Sequence, residues 1–316
     1  MSRAVALIAV LSLALFAGAS SARPDAAQVK LGVLGGAARF QQLTGQRSTI
    51  RHVIAGWDQL GSAPSILGAL TPTPMLGIGT GPSNTRGTIS PLQIANGQGD
   101  AGLLALNAAL GAFGAPAYVR PLPEMNNYHR PFSAFEQNGR PRGPSHSTAA
   151  FRKAFARIYL LLHGGPASRI NSRLRRLGLP PLAQGGDLPA PDVQIVWNPQ
   201  GYGSPDIPAN SAQAYYPGDS YVDVVANDLY DQRFNAAWDA NEALYKAHPK
   251  KRFGIAEWGL WDVDDPAFVE RMATFVKTHP RTDFLVYYSG RPGSPWDLAT
   301  KPKSRAAYRR LITPLG

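Results

Sequence analysis

The chain alternates short apolar runs with longer stretches in which apolar residues recur at helical spacing. Short, nearly continuous apolar runs are typical of strands that are buried on both faces. Eight such runs cover residues 30–34, 51–55, 74–78, 116–120, 192–197, 222–226, 252–256 and 282–288. Strands that alternate with helices predict a parallel sheet. With eight of them, closure into a (β/α)8 barrel is favoured over an open doubly wound sheet.

The segments between these runs carry amphipathic helical patterns. The clearest begins with Asp265 as N-cap and Pro266 at the first helical position, the residue types that favour a helix start. Its apolar face holds Phe268, Val269, Met272, Phe275 and Val276. Residues 151–162 show a second such face, and a third helix is predicted to start at a capping Asp100. No internal repeat or flexible linker divides the chain, so one catalytic domain over residues 23–316 is expected.

The N-terminus has the features of a secretory signal peptide. Arg3 supplies a positive charge, residues 4–18 are apolar, and small residues at 17–22 offer cleavage sites. The apolar run is shorter than the roughly 20 residues that cross a bilayer, which argues against a membrane anchor. We therefore expect residues 1–22 to be removed, and the mature protein to be extracellular and not bound to a membrane.

Composition excludes some chemistry and leaves some open. The chain has 0 Cys, so disulfides and thiolate metal sites are excluded. Its six histidines lack metal-ligand spacing, and the glycine-rich residues 77–81 lead into a proline instead of a helix, so neither a metal nor a dinucleotide cofactor is predicted. The net charge of +11 suits an acidic glycan or a cell wall, but no nucleic-acid motif is present. We expect a monomer that binds a polysaccharide and no nucleic acid.

Two of the five glutamates stand where catalysis by a barrel is expected. Glu124 closes the fourth apolar run and Glu257 the seventh, and in a barrel these strands lie on opposite sides of the mouth. Retaining glycosidases need two carboxyl groups about 5–5.5 Å apart, one as nucleophile and one as acid/base. Either glutamate alone could simply cap a strand or pair with an arginine. Two of them at these strands favour catalysis.

Further candidates lie near these glutamates. Residues 125–147 form a long irregular stretch after the fourth strand, on the face where barrel active sites lie. Period-two alternation places Arg120 on the same face as Glu124, and Asp228 on the same face as Tyr230. Three tryptophans close strands and could stack on sugars or pack in the core: Trp57, Trp197 and Trp258.

Several of these segments resemble glycoside hydrolase family 26, the β-mannanases and their relatives in clan A. Residues 120–127, RPLPEMNN, look like the family's acid/base segment, and residues 255–259, IAEWG, look like its nucleophile segment. Residues 197–199 and 216–230 are similar to its fifth and sixth strands. The resemblance covers nearly the whole mature chain, in the expected order.

The resemblance implies a (β/α)8 barrel that hydrolyses a β-linked polysaccharide with retention and without a cofactor. It implies that Glu124 is the acid/base and Glu257 the nucleophile. Tyr230 matches the tyrosine that hydrogen-bonds the nucleophile, Asp228 lies in the subsite floor, and Tyr288 falls where an aromatic ring stacks under the sugar. Alternatively, both tyrosines could be core residues.

The chain departs from the family pattern at one position. Family members usually carry His immediately before the acid/base, where this chain has Pro123, and that His helps to hold the substrate. Asn126 and Asn127 could supply the missing polar contacts. We expect an endo-β-glycanase with β-mannan as the leading substrate. The alternatives are β-glucan, xylan or an acidic cell-envelope glycan, and a barrel that binds carbohydrate without turning it over.

Overall fold

The computed structural model describes residues 28–81, 87–183 and 185–316. The expected signal peptide, residues 1–22, lies outside the described residues. Eight parallel strands close into a barrel in sequence order, with β1 hydrogen-bonded to both β2 and β8. The predicted (β/α)8 fold is confirmed. Within the described residues, no helix is long and apolar enough to cross a membrane.

The strands begin close to the predicted positions, and two of them extend well beyond the predicted ends. Their bounds are β1 Lys30–Gly35, β2 Ile50–Gly56, β3 Thr73–Gly79, β4 Ala117–Pro121, β5 Val193–Trp197, β6 Val224–Gln232, β7 Arg252–Trp261 and β8 Thr282–Gly290. The two strands that extend further are β6 and β7, which pair with each other along nearly their whole length. Asp228 and Glu257 are register partners in this ladder, so the pairing itself brings the two carboxyl groups side by side.

Helices follow the strands and cover the outside of the barrel. Their bounds are α1 Ala37–Thr44, α2 Ala63–Ala69, α3 Pro91–Ala95, α4 Asp100–Phe113, α5 Thr148–His163, α6 Ala167–Arg176, α7 Trp238–Ala247, α8 Pro266–Thr278 and α9 Pro302–Leu311. The start of α8 is as predicted, because the Asp265 carboxylate accepts a hydrogen bond from the Ala267 N–H at 2.9 Å.

The prediction that Asp100 caps its helix is wrong. Gly99 is the N-cap of α4, and Asp100 lies in the first turn. Its carboxylate instead accepts hydrogen bonds from the fully buried Arg157 of α5, at 2.7 Å from Nε to Oδ1. Because the guanidinium of Arg157 needs a partner in the core, this ion pair joins α4 to α5 across the outer layer.

The long segment after β4 has little regular structure, as predicted. Within residues 125–147 the structure has a single short 3-10 turn, Pro144–His146, and two isolated bridges, Phe135 with Pro141 and Asn127 with Ser204. Arg142 holds the segment in shape, since its guanidinium donates to the carbonyls of Arg130 at 2.7 Å and Tyr128 at 2.5 Å. The segment is therefore an ordered wall at the carboxyl end of the barrel.

Candidate active site

One buried guanidinium organises the mouth of the barrel. Arg120 lies in β4 with no exposed surface, and its Nη1 donates to Oε1 of Glu257 in β7 at 2.5 Å. Its Nη2 pairs with Asp228 of β6, and its Nε donates to the Asn198 side chain just after β5 at 2.9 Å. The side chain that alternation placed on the inner face thus connects four consecutive strands.

Glu257 is held at both carboxylate oxygens. Oε1 accepts from Arg120, and Oε2 accepts from the Tyr230 hydroxyl at 2.8 Å. Both partners donate, so the geometry is that of an ionised carboxylate with a defined orientation. An attacking carboxylate has to be ionised and oriented in this way.

Glu124 stands just beyond the end of β4, on a strained backbone. Its φ of 55° lies in the left-handed region, which is unfavourable for a residue with a side chain. Its N–H donates to the Asn198 carbonyl at 2.7 Å. The side chain accepts from Gln200 Nε2 at 3.1 Å on Oε1, and from Arg130 Nε at 2.9 Å on Oε2.

The electrostatic effects of these groups overlap. Burial raises the pKa of Asp228 well above its usual value, and the neighbouring Glu257 and Glu124 raise it further, although Arg120 opposes the shift. Burial, with Glu257 next, also raises the pKa of Tyr230, so its hydroxyl stays a donor. Both glutamates therefore act electrostatically on Asp228, and the three carboxyl groups form an acidic cluster.

The two asparagines after Glu124 have structural contacts. Asn126 is fully buried and shapes the loop, since its Nδ2 donates to the Gln200 carbonyl at 2.9 Å and its Oδ1 accepts from the Gln200 N–H at 2.8 Å. The expectation that it contacts sugar is wrong, because these bonds occupy it inside the protein. Asn127 is partly exposed and accepts from the His129 N–H at 3.0 Å, as in a turn.

The three strand-closing tryptophans do not form sugar platforms. Trp197 and Trp258 have no exposed surface, and Trp57 is 8% exposed, so none presents a ring face to a ligand. Trp258 stacks on Tyr308 of α9 with ring centres 5.5 Å apart. Successive strand residues point to opposite faces, so a strand that points Glu257 inward points Trp258 outward against the helices.

Four other aromatic rings lie on the rim, three of them half-buried and Trp261 exposed. Tyr288, at the end of β8, lies edge-on to Tyr230 with ring centres 6.2 Å apart. Trp296 is 4.9 Å from Tyr288, and Trp261 is 5.0 Å from Trp296. We call these four rings the aromatic strip. Trp261 lies four residues after Glu257 in β7 and so shares its face, which alternation along the strand could have identified. No local feature of the sequence predicts the position of Trp296.

A cavity of about 1170 Å³ lies between the chain after β3 and the long segment after β4. Arg130, Tyr128 and His129 line it, together with Arg142 and His146. Phe132 of the same segment is 2% exposed and belongs to the core. Among the described residues, no group of three or more His, Asp and Glu side chains could hold a metal ion.

Comparison with known families adds to this geometry. The model of glycosyl hydrolase family 26 matches residues 196–277, which contain β6, β7, Tyr230 and Glu257. The resemblance to family 26 is confirmed. The match supports a glycoside hydrolase. A search of curated proteins gives no significant match.

Solved structures share the fold with low sequence identity. The mannanase man26 of Bacillus subtilis matches with a TM-score of 0.58 at 18% identity, covering 90% of this chain and 85% of that one. A family 26 β-mannanase from Bacteroides ovatus matches with a TM-score of 0.53 at 15% identity, covering 90% and 86%. These likenesses show the same barrel fold over nearly the whole described chain.

Proposed function

We propose that this protein is a retaining endo-β-glycanase in which Glu257 is the nucleophile and Glu124 the acid/base. The observation that carries the proposal is the pair of donors on Glu257, Arg120 and Tyr230, because they orient an ionised carboxylate at the barrel mouth. Glu124 lies at the end of another strand, within electrostatic reach of the same Arg120. Double displacement requires two carboxyl groups at the scissile bond, one as nucleophile and one as acid/base.

The two glutamates would divide the reaction as follows. Protonated Glu124 gives its proton to the glycosidic oxygen while an oxygen of Glu257 bonds to the anomeric carbon and the leaving sugar departs. Glu124, now ionised, takes a proton from a water whose oxygen attacks the same carbon, and the bond to Glu257 breaks. Tyr230 would release and regain its hydrogen bond as the charge of Glu257 is lost and restored.

For the substrate we propose a β-linked polysaccharide, with β-mannan first and β-glucan, xylan or an acidic glycan as alternatives. The family 26 match and the mannanase structures support mannan. Tyr288 and the aromatic strip would stack under the sugar that is attacked. Asp228 would line the floor of this site, and the segment after β4 would wall the leaving-group side through Tyr128 and His129. Residues 1–22 support export, which N-terminal sequencing of protein from the culture medium would test.

The first experiment measures new reducing ends on mannan, glucan, xylan and acidic glycans. We expect product from at least one polymer. Glu257→Ala should abolish turnover on every substrate, whereas Glu270→Ala, a control at an exposed glutamate of α8, should keep wild-type rates. Binding of a polymer without any product would instead favour a carbohydrate-binding barrel that has no turnover.

The second experiment assigns the roles with azide. Glu124→Ala should still form the glycosyl-enzyme from a dinitrophenyl β-glycoside, because that leaving group needs no proton. Azide should then give the β-glycosyl azide with Glu124→Ala and the α-glycosyl azide with Glu257→Ala. The reverse configurations would swap the two roles, and wild-type activity in both variants would remove both glutamates from catalysis.

A further inference from the structure

The acid/base proposed above is paired with a positive charge from its own loop. Arg130 donates through Nε to Oε2 of Glu124 at 2.9 Å, and its Nη2 forms an ion pair with the same oxygen. The Arg130 side chain is 25% exposed, against 7% for Glu124. A molecule that enters the site from solvent therefore meets Arg130 before it meets the carboxylate behind it.

This pairing suits Glu124 as a general base, in the second step of the reaction, but not as the general acid of the first step. Both oxygens of Glu124 accept hydrogen bonds, Oε1 from Gln200 and Oε2 from Arg130, so the side chain is arranged as a carboxylate. A general acid must instead donate a proton to the glycosidic oxygen. Nε and Nη2 of Arg130 both donate to Oε2, and arginine has no acceptor, so a proton at this oxygen has to displace at least one of these two bonds.

The cavity that Arg130 lines offers its guanidinium another place to bind. Arg130 lines this cavity, and Arg142, which donates to the Arg130 and Tyr128 carbonyls, holds the cavity wall in shape. Arg142 also pairs with Glu136 at 3.3 Å, so the acidic side chain of the lining has a cationic partner of its own. An anion in the cavity could thus draw Arg130 from Glu124 without rebuilding the loop.

We propose that the cavity binds a uronic acid residue on the leaving-group side of the glycan, whose carboxylate takes Arg130 away from Glu124. A planar carboxylate matches the guanidinium fork and would replace the carboxylate that Arg130 already holds. Glu136 in the lining disfavours a doubly charged phosphate. The net charge of +11 would further attract an acidic polymer.

The exchange couples recognition to catalysis, and it rests on the function proposed above. When the substrate carboxylate pairs with Arg130, Oε2 of Glu124 is released and takes one proton from solvent. That proton then goes to the glycosidic oxygen as the bond to the leaving sugar breaks. A neutral sugar in the cavity leaves Arg130 on Glu124, and the first step is slower.

The test compares one polymer in two forms, a uronic-acid-containing β-glycan and the same polymer after chemical reduction of its carboxyl groups. We expect wild-type kcat/KM to be at least tenfold higher on the acidic form. Arg130→Gln should lose this preference, by lowering the rate on the acidic form and keeping or raising it on the reduced form. Arg140→Gln, an exposed arginine of the same loop that is absent from the cavity lining, is the matched control and should keep the preference.

A binding measurement separates this inference from the proposed function. Calorimetry with a uronic-acid-containing oligosaccharide and its reduced counterpart should show at least tenfold tighter binding of the acidic form to wild type, and no preference with Arg130→Gln. If no polymer is hydrolysed but this preference holds, the proposed function fails and the assignment of the cavity stands. An equal affinity for both forms, a preference that survives Arg130→Gln, or tighter binding of a sulfated oligosaccharide would overturn it.

Discussion

Arg120 has its whole guanidinium in the protein interior, with Asp228 and Glu257 as ionic partners. Removing one member of a buried ion network leaves an uncompensated charge, which costs about 3–5 kcal/mol. We therefore expect Arg120→Met to lower the free energy of unfolding by about that amount, measured by urea denaturation. Adding Asp228→Asn should recover part of the loss, because it removes one of the two stranded carboxyl groups.

The control for this prediction is an exposed pair of the same kind. Arg310 and Glu270 lie 3.2 Å apart with both side chains more than half exposed, so Arg310→Met should cost at most about 1 kcal/mol. A loss below about 1 kcal/mol in Arg120→Met as well would mean that the buried network contributes little to stability.

The Tyr230 hydroxyl donates to Glu257, and a hydrogen bond to a charged group is worth about 1.5–3 kcal/mol. Tyr230→Phe removes this bond and little else, so kcat should fall about 10- to 100-fold while the melting temperature changes little. Tyr216→Phe, which removes a hydroxyl bonded to Asp219 at 2.6 Å, should leave kcat unchanged. A large drop in melting temperature with kcat intact would make Tyr230 a packing residue.

The aromatic strip begins at Tyr230, the hydrogen-bond partner of Glu257, and passes the ends of β7 and β8. Trp261 is 40% exposed at the last position of β7, and such rings bind sugar faces by stacking. Trp261→Ala should raise KM for long oligosaccharides by about two- to tenfold, without changing kcat on short aryl glycosides. Ile54→Ala, at an exposed apolar residue of β2, should change neither. An equal effect on short and long substrates would place Trp261 in the catalytic site itself.

The first and last elements of the described chain contact each other and close the barrel. β1 pairs with β8, the Tyr308 hydroxyl of α9 donates to Gln46 at 2.6 Å, and Arg39 of α1 donates to both oxygens of Asp297 at 2.8 and 2.9 Å. Because these contacts join residues more than 250 positions apart, they form only when the barrel is complete. They make the stability of the molecule depend on closure.

Asp297 should make this closure sensitive to acid. Burial opposes its ionisation, but Arg39 and the N–H groups of Gly293 and Ala299 outweigh it and lower the pKa of Asp297 to about 2. A carboxyl with a lowered pKa stabilises the fold above its unfolded value of 3.8 and loses that contribution as the pH falls towards 2. Asp297→Asn should therefore cost on the order of 1 kcal/mol at pH 7.

The measurement is the free energy of unfolding of wild type and Asp297→Asn between pH 2 and pH 7. The difference between the two proteins should be constant at neutral pH and shrink below about pH 4. Asp206→Asn is the control, since that side chain is exposed and lies away from the barrel closure. A difference that grew as the pH fell would reverse the sign and contradict the prediction.

The local pattern of apolar residues was enough to predict the barrel, because each buried strand appears in the sequence as a short apolar run. A run such as 252–256 is apolar at every position except its first residue, and burial on both faces is the physical reason for that composition. The same pattern marked Glu257 as polar at the end of an apolar strand. The prediction for Trp258 rested on its residue type, which suggested a sugar-stacking platform. Alternation along β7 points this side chain away from Glu257, towards the helices.

The sequence by itself determined that eight strands would form a barrel, that Glu124 and Glu257 would lie at its mouth, and that Tyr230 would share a face with Asp228. Only the tertiary structure decided that Arg120 joins Asp228 to Glu257, that Arg130 pairs with Glu124, and that Trp296 completes the aromatic strip. Strand identity and side-chain parity depend on neighbours a few residues away. The contact between Arg120 and Glu257 joins residues 137 positions apart, so it depends on the register and closure of the whole barrel.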